Sequence, residues 1–214
     1  MQKMNTKDVE LFVDGNEKYI QVNDVDVKDI EKVWENLAAN YPGFVIDFCF
    51  RNTLAPEKFL LAAGASVLNS FMEMRLLPKD FIDLPTKTKV VPVTMDNFVD
   101  FAALHDNAYP DMYWSSRHLL ANFDTWDIFI IQKHGEIMGY AIMRDGTEIY
   151  CVHANSLDDK IALITTAVKQ SFNANIEGAD LVFMVDRDNF TEVGAALHLG
   201  FRRKGYHITY RARI

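Results

Sequence analysis

Apolar residues fall at helical spacing in two long stretches of the chain. Ile30, Val33, Trp34, Leu37, Ala38 and Tyr41 form one stripe, and Pro42-Gly43 ends it. Ile161, Ile164, Val168 and Phe172 form the second, behind Ser156 as a candidate cap. Two near-continuous apolar runs, FVIDFCFRN (44–52) and LVFMVDRDN (181–189), read as buried strands. Each ends on an asparagine, Asn52 or Asn189, and a short helical pattern follows. Gly64 stops the first of these helices and Gly200 the second. Pro56 stands near the start of the first and Thr191 is a candidate cap for the second. A last extended segment closes each series, SFMEMRL or HITYRAR.

The two series are copies of one unit. DGNEKY (14–19) precedes the first and DGTEIY (145–150) the second. Arg75 stands as far beyond Gly64 as Arg211 stands beyond Gly200. The unit reads β-α-β-α-β. Copy two has more in front of it: an extended Val90–Val93, then a helix begun by Thr94 that carries Phe98, Phe101, Ala102 and His105. After the aromatic turn AYPDMYW comes a helix from Ser115 or Ser116 through Leu119, Leu120 and Phe123. Strands 127–133 and 136–144 follow, joined at His134-Gly135. The expected organisation is a partial domain over 1–77, a linker over 78–89 and a complete domain over 90–214. The linker lies in the aperiodic run LPKDFIDLPTKTK. Copy one lacks the front hairpin, so its sheet edge is expected to pair, with the other domain or with a second subunit as a homodimer.

Composition narrows the function. The 214 residues are 49% hydrophobic and 24% charged, as in ordinary soluble globular proteins. The net charge is -8, and residues 1–88 hold 10 Lys and Arg against 14 Asp and Glu, half of the excess. Neither half offers a basic face, so nucleic acid is not an expected partner. The near-apolar run 59–68 is too short to cross a bilayer, and no leader pattern opens the chain. Two cysteines, Cys49 and Cys151, suit a reducing compartment, so the expected location is cytoplasmic. Cys151, with no His or Asp motif beside it, reads as a small buried group, and Met72 and Met74 read as strand filling. The six histidines show no metal spacing.

The order of landmarks in copy two resembles the GNAT superfamily of N-acetyltransferases. HGEIMGYAI (134–142) is similar to that family's central hairpin. EIYCVHANSLDDKIALI (148–164) stands where the family has its fourth strand and pyrophosphate loop. NFTEVGAALHLGF (189–201) is similar to its N-x-x-A-x-x-x-Y-x-x-x-G-F segment. The resemblance implies a mixed α/β sheet with a truncated tandem copy in front. It implies acetyl-CoA as cosubstrate, no metal, and a small-molecule or peptide amine as acceptor. The pantetheine arm is then expected near Val152 and Ala154, and the pyrophosphate at the following helix tip near Lys160, Ile161 and Ala162. Asn189 is either a cofactor contact or a helix cap. Glu148 is the candidate base, although Glu17 repeats it in copy one. Tyr109, Tyr113 and Trp114 either line the acceptor site or pack under their loop. Two features depart from the family. Its loop Q/R-x-x-G-x-G/A reads Leu157-Asp158-Asp159-Lys160-Ile161-Ala162 here, and its acid Tyr is Ala196. Lys160 and the cluster Arg202-Arg203-Lys204 offer compensating charge. The competing expectation is a degenerate member that binds a ligand or partner without catalysis.

Overall fold

The computed structural model describes residues 2–6, 9–23, 25–52, 57–174 and 180–214. Pro56 lies outside the described residues. Two compact units form, Met1–Met72 with Gly205–Ile214, and Glu73–Lys204.

In the first unit, β1 (Gln2–Thr6) and β2 (Val9–Asp14) make an antiparallel hairpin, and β2 pairs antiparallel with β3 (Tyr19–Asn23). α1 (Ile30–Asn40) crosses over to β4 (Val45–Arg51). β3 and β4 are parallel and zipped from Tyr19↔Val45 to Asn23↔Cys49, along the whole of β3. α2 (Glu57–Ala62) leads into β5 (Ser66–Leu76), which begins in this unit and ends in the other. The final strand β11 (Arg202–Arg213) makes the reverse passage and pairs antiparallel with β4. Ile20, Ile46, Phe48, Leu37 and Leu60 are fully buried beneath the helices, with Trp34 stacked on Phe48 at 5.7 Å. Gly43 and Gly64 stop their helices at φ of +82° and +90°, a region that favours glycine.

On the other sheet face, Asp47 is buried and charged. Arg211 grips it with a two-armed fork, Nε and Nη2 each 2.7 Å from a carboxylate oxygen, and the Tyr19 hydroxyl donates to it at 2.8 Å. This network fastens the last strand of the chain to β3 and β4. The expected boundaries differ for that reason. The bonds that place β11 join residues far apart in sequence, and no local pattern encodes them. The expected missing front hairpin is also corrected, because β1 and β2 supply it and cover the edge of β3. Val9, Leu11 and Val13 carried its alternating signal, diluted by Phe12.

The second unit contains the end of β5, β6 (Val90–Pro92), α3 (Phe98–Ala108), α4 (Ser116–Ala121), β7 (Trp126–Lys133), β8 (Glu136–Arg144) and β9 (Glu148–Ala154). α5 (Leu157–Asn173), β10 (Leu181–Asp186), α6 (Phe190–His198) and the start of β11 complete it. Its strand order is β5-β10-β9-β8-β7-β6. Both hairpins turn through two left-handed residues, His134-Gly135 and Asp145-Gly146, the geometry that matches strand twist. α5 packs across β7, β8 and β9 on one face, and α3 packs against β8. Residues 78–89, read as linker, are held onto this unit. Phe81 packs edge-on against Phe172, Ile82 N–H donates to Leu199 C=O at 3.1 Å, and Lys169 pairs with Asp83 at 2.8 Å. Among the described residues, no helix is long and apolar enough to cross a membrane.

Candidate functional site

The two segments read as copies differ at one decisive place. β3 and β4 stay paired along the whole of β3, whereas their counterparts β9 and β10 pair only at Glu148↔Val182 and Ile149↔Phe183. Beyond Ile149 the parallel strands separate, and no ladder pair on that side of β9 forms among the described residues. The separation begins at a β-bulge. Ile142 opposes Cys151 and Met143 opposes Ile149, so Tyr150 is the extra residue. The segment Cys151–Ala154 thereby presents an open strand edge at the carboxyl end of a parallel pair, where α/β sheets hold ligands.

Above this edge lies a run of polar groups buried among aromatics. Cys151 is buried beside Tyr109 and Tyr140. Tyr140 in turn meets His105 Nδ1 at 2.9 Å, and His105 Nε2 meets the Trp114 carbonyl at 2.8 Å. The carbonyl can only accept, so Nε2 carries the proton and Nδ1 accepts from Tyr140. Burial keeps His105 neutral by lowering its pKa, against the pull of Trp114 and Asp106. Burial pushes the Cys151 thiol up to about 12 and raises both tyrosines. Cys151 is therefore a thiol and not a nucleophile at neutral pH.

His153 continues the same face of β9. It stacks on Tyr140 at 5.3 Å and lies edge-on to Tyr109 at 6.2 Å. It is half-exposed, and burial, with Lys160 and His105 nearby, lowers its pKa, so the ring is neutral at pH 7.

Two helices begin at the mouth of the separated strands, α5 after β9 and α6 after β10. Ser156 caps α5 through Asp159 N–H at 3.1 Å. Asn189 caps α6 through Glu192 N–H at 3.2 Å, and its amide also donates to Glu192 at 2.7 Å. Lys160 and Glu192 are both buried and meet at 2.6 Å, tying the first turn of α5 to the first turn of α6. Burial raises the Glu192 pKa, and Lys160 and Asn189 oppose that without reversing it. Burial would likewise raise Asp159, but hydrogen bonds from Lys133, Ser156 and Thr88 outweigh it and hold the carboxyl below its usual range.

The expected site residues are placed unevenly. Val152 and Ala154 lie on the open edge, and Tyr109 reaches it through Cys151. Trp114 packs on Trp126 at 5.0 Å with the Arg144 guanidinium 5.7 Å above it, and Tyr113 stacks on His118 at 4.5 Å. Glu148 sits where β9 and β10 are still paired. Lys160, Ile161 and Ala162 lie at the helix tip where they were expected, in the opening turns of α5, with Asp158 and Asp159 in its first turn. Asn189 is a cap. His105, His153, Tyr140 and Glu192 were missed by the sequence reading. His153 follows the bulge and Glu192 stands at a helix tip, while His105 in α3 and Tyr140 in β8 join the site only through tertiary packing. Among the described residues, no group of three or more His, Cys, Asp or Glu could hold a metal.

Known structures superpose on this architecture. A conserved protein of unknown function from Staphylococcus epidermidis matches with a TM-score of 0.68 at 14% identity, over 99% of this chain and 93% of that one. A GCN5-related N-acetyltransferase from Sphaerobacter thermophilus gives 0.62 at 10%, over 96% and 76%. A tandem GNAT protein from the clavulanic acid biosynthesis pathway gives 0.61 at 12%, over 96% and 78%. The chain has the GNAT fold. No family model matches it, and no curated protein matches it. Within the GNAT fold, the open β9 edge suits the amides of a pantetheine arm. The tip of α5 does not fit the nucleotide end of acetyl-CoA. No glycine stands in its first turns, and Lys160 is engaged by Glu192.

Proposed function

We propose that the second unit is an N-acetyltransferase site, moving an acetyl group from a thioester to a primary amine of a small molecule or peptide. The observation that supports this is the one-sided opening of the parallel pair, present in β9–β10 and absent in β3–β4. In the proposed reaction the amine nitrogen attacks the thioester carbon, a C–N bond forms and the C–S bond breaks. The amine proton goes to His153 Nε2 or Nδ1, because this ring is neutral, half-exposed and beside the open edge. Tyr109 and Tyr140 fix the ring by packing. The leaving thiolate takes its proton from water, since Ala196 fills the position of the family's acid. A second reading, a non-catalytic binding module, is favoured by the helical tip of α5.

Amine-dependent thiol release from acetyl thioesters, measured across a panel of primary amines, tests the proposal. Turnover that falls about 100-fold in His153→Gln, as loss of a general base does, supports it. No amine-dependent release at millimolar donor refutes it and leaves the binding module.

A further inference from the structure

We infer that the acyl donor of this site is a pantetheine-type thioester that carries no nucleotide diphosphate. The inference rests on the transferase reading and names its donor. Four observations converge on it. The open edge Cys151–Ala154 spans about 13 Å at roughly 3.3 Å per residue, enough for an extended arm with two amides to pair as a missing strand would. That end of the donor is therefore accommodated. The other end meets a helix tip without a glycine, where the chain from Leu157 to Ala162 is already wound and cannot wrap a phosphate. The exposed charge there repels an anion: Asp158 stands in the first turn, while Asp159 behind it is buried and neutralised by Lys133. The cation within the tip itself, Lys160, is bonded to Glu192 at 2.6 Å in a buried pair, and the Asn189 side chain is spent on the same carboxylate. That pair bridges the two helix tips.

A diphosphate held by several charge-assisted hydrogen bonds raises affinity by roughly a hundredfold. Here that gain is absent, so donors with and without the nucleotide bind alike. The transfer step is unchanged: C–N forms, C–S breaks, and the thiolate is protonated and released as a free thiol.

Calorimetry on the full chain with S-acetylpantetheine, acetyl-CoA and ADP tests this. The expected result is dissociation constants for the two thioesters within about threefold, and no competition from ADP. Acetyl-CoA binding more than tenfold tighter, displacement of either thioester by ADP, or no binding of S-acetylpantetheine overturns the inference. The transferase reading fails separately: equal binding of both thioesters without amine-dependent thiol release sinks that reading and leaves the donor preference standing. A rebuilt tip, Asp158→Gly with Lys160→Gly and Glu192→Gln, is expected to shift the preference at least tenfold toward acetyl-CoA. If it does so by creating a new affinity, the native tip is the cause of the indifference; a folded rebuilt protein with an unchanged ratio counts against it.

Discussion

Glu192→Ala isolates the buried pair at the mouth of the site. In the native chain the Lys160 ammonium lies 2.6 Å from Glu192, and both side chains are less than a tenth exposed. Removing the carboxylate leaves a buried ammonium with its main partner gone, which typically costs about 3–5 kcal/mol. For a domain of this size each kcal/mol lowers the melting temperature by about 2–4 °C, so a drop of about 6–20 °C is expected. Replacing both partners, Lys160→Met with Glu192→Leu, removes the two desolvation penalties along with the attraction. The double variant is therefore expected within about 1–2 kcal/mol of the native chain, far above the single one. Urea denaturation of native, two single and one double variant gives the coupling directly. If Glu192→Ala costs under about 1 kcal/mol, or if the single effects simply add, then the pair is hydrated in solution and the argument built on it collapses.

Three further outcomes follow from the same geometry. Gly200→Ala is expected to destabilise by more than about 2 kcal/mol, since φ is +96° and the new Cβ would collide with the Asp80 carbonyl; chemical denaturation that shows a cost below about 0.5 kcal/mol contradicts this. His105 is neutral and its pKa lowered in the folded state, so between the folded and unfolded values the unfolded chain binds more protons; stability is fully present above about pH 6.5 and declines below it, a slope that His105→Phe should flatten in denaturation series across pH 5–8. Cys151, buried with its thiol raised to about 12, should resist alkylation at pH 8 until the chain unfolds, whereas half-buried Cys49 reacts first; peptide mapping of an iodoacetamide time course that finds Cys151 modified in the native state would sink the assignment.

Local physics made much of the fold legible. The stripes on α1 and α5, the left-handed glycines after α2 and α6 and the His134-Gly135 turn each follow from side chains within a few residues of one another. The placement of β11 was not legible, because it depends on Arg211 meeting Asp47, and neither residue's neighbours hint at the other. The same holds at the site. Val152 and Ala154 could be placed by register along one strand, but the Lys160–Glu192 bond joins two helices whose tips approach only once β9 and β10 have parted. His153 was legible as a strand residue and illegible as a site residue, since its surroundings come from α3 and β8.

The divergence of the two copies has a physical logic. In copy one, Asp47 stands in the middle of β4 with Tyr19 from β3 and Arg211 from β11 bonded to it, a cross-strand clamp that opposes separation of β3 from β4. The equivalent position in β10 is Met184, whose side chain cannot carry the ionic bond that Asp47 makes. Copy two adds the bulge at Tyr150, which turns the strand away from its partner. One parallel pair is thus held by a buried ion pair, and the other parts beyond a bulge. The transferase site is expected in the second unit, where an open strand edge and a neutral imidazole occur together.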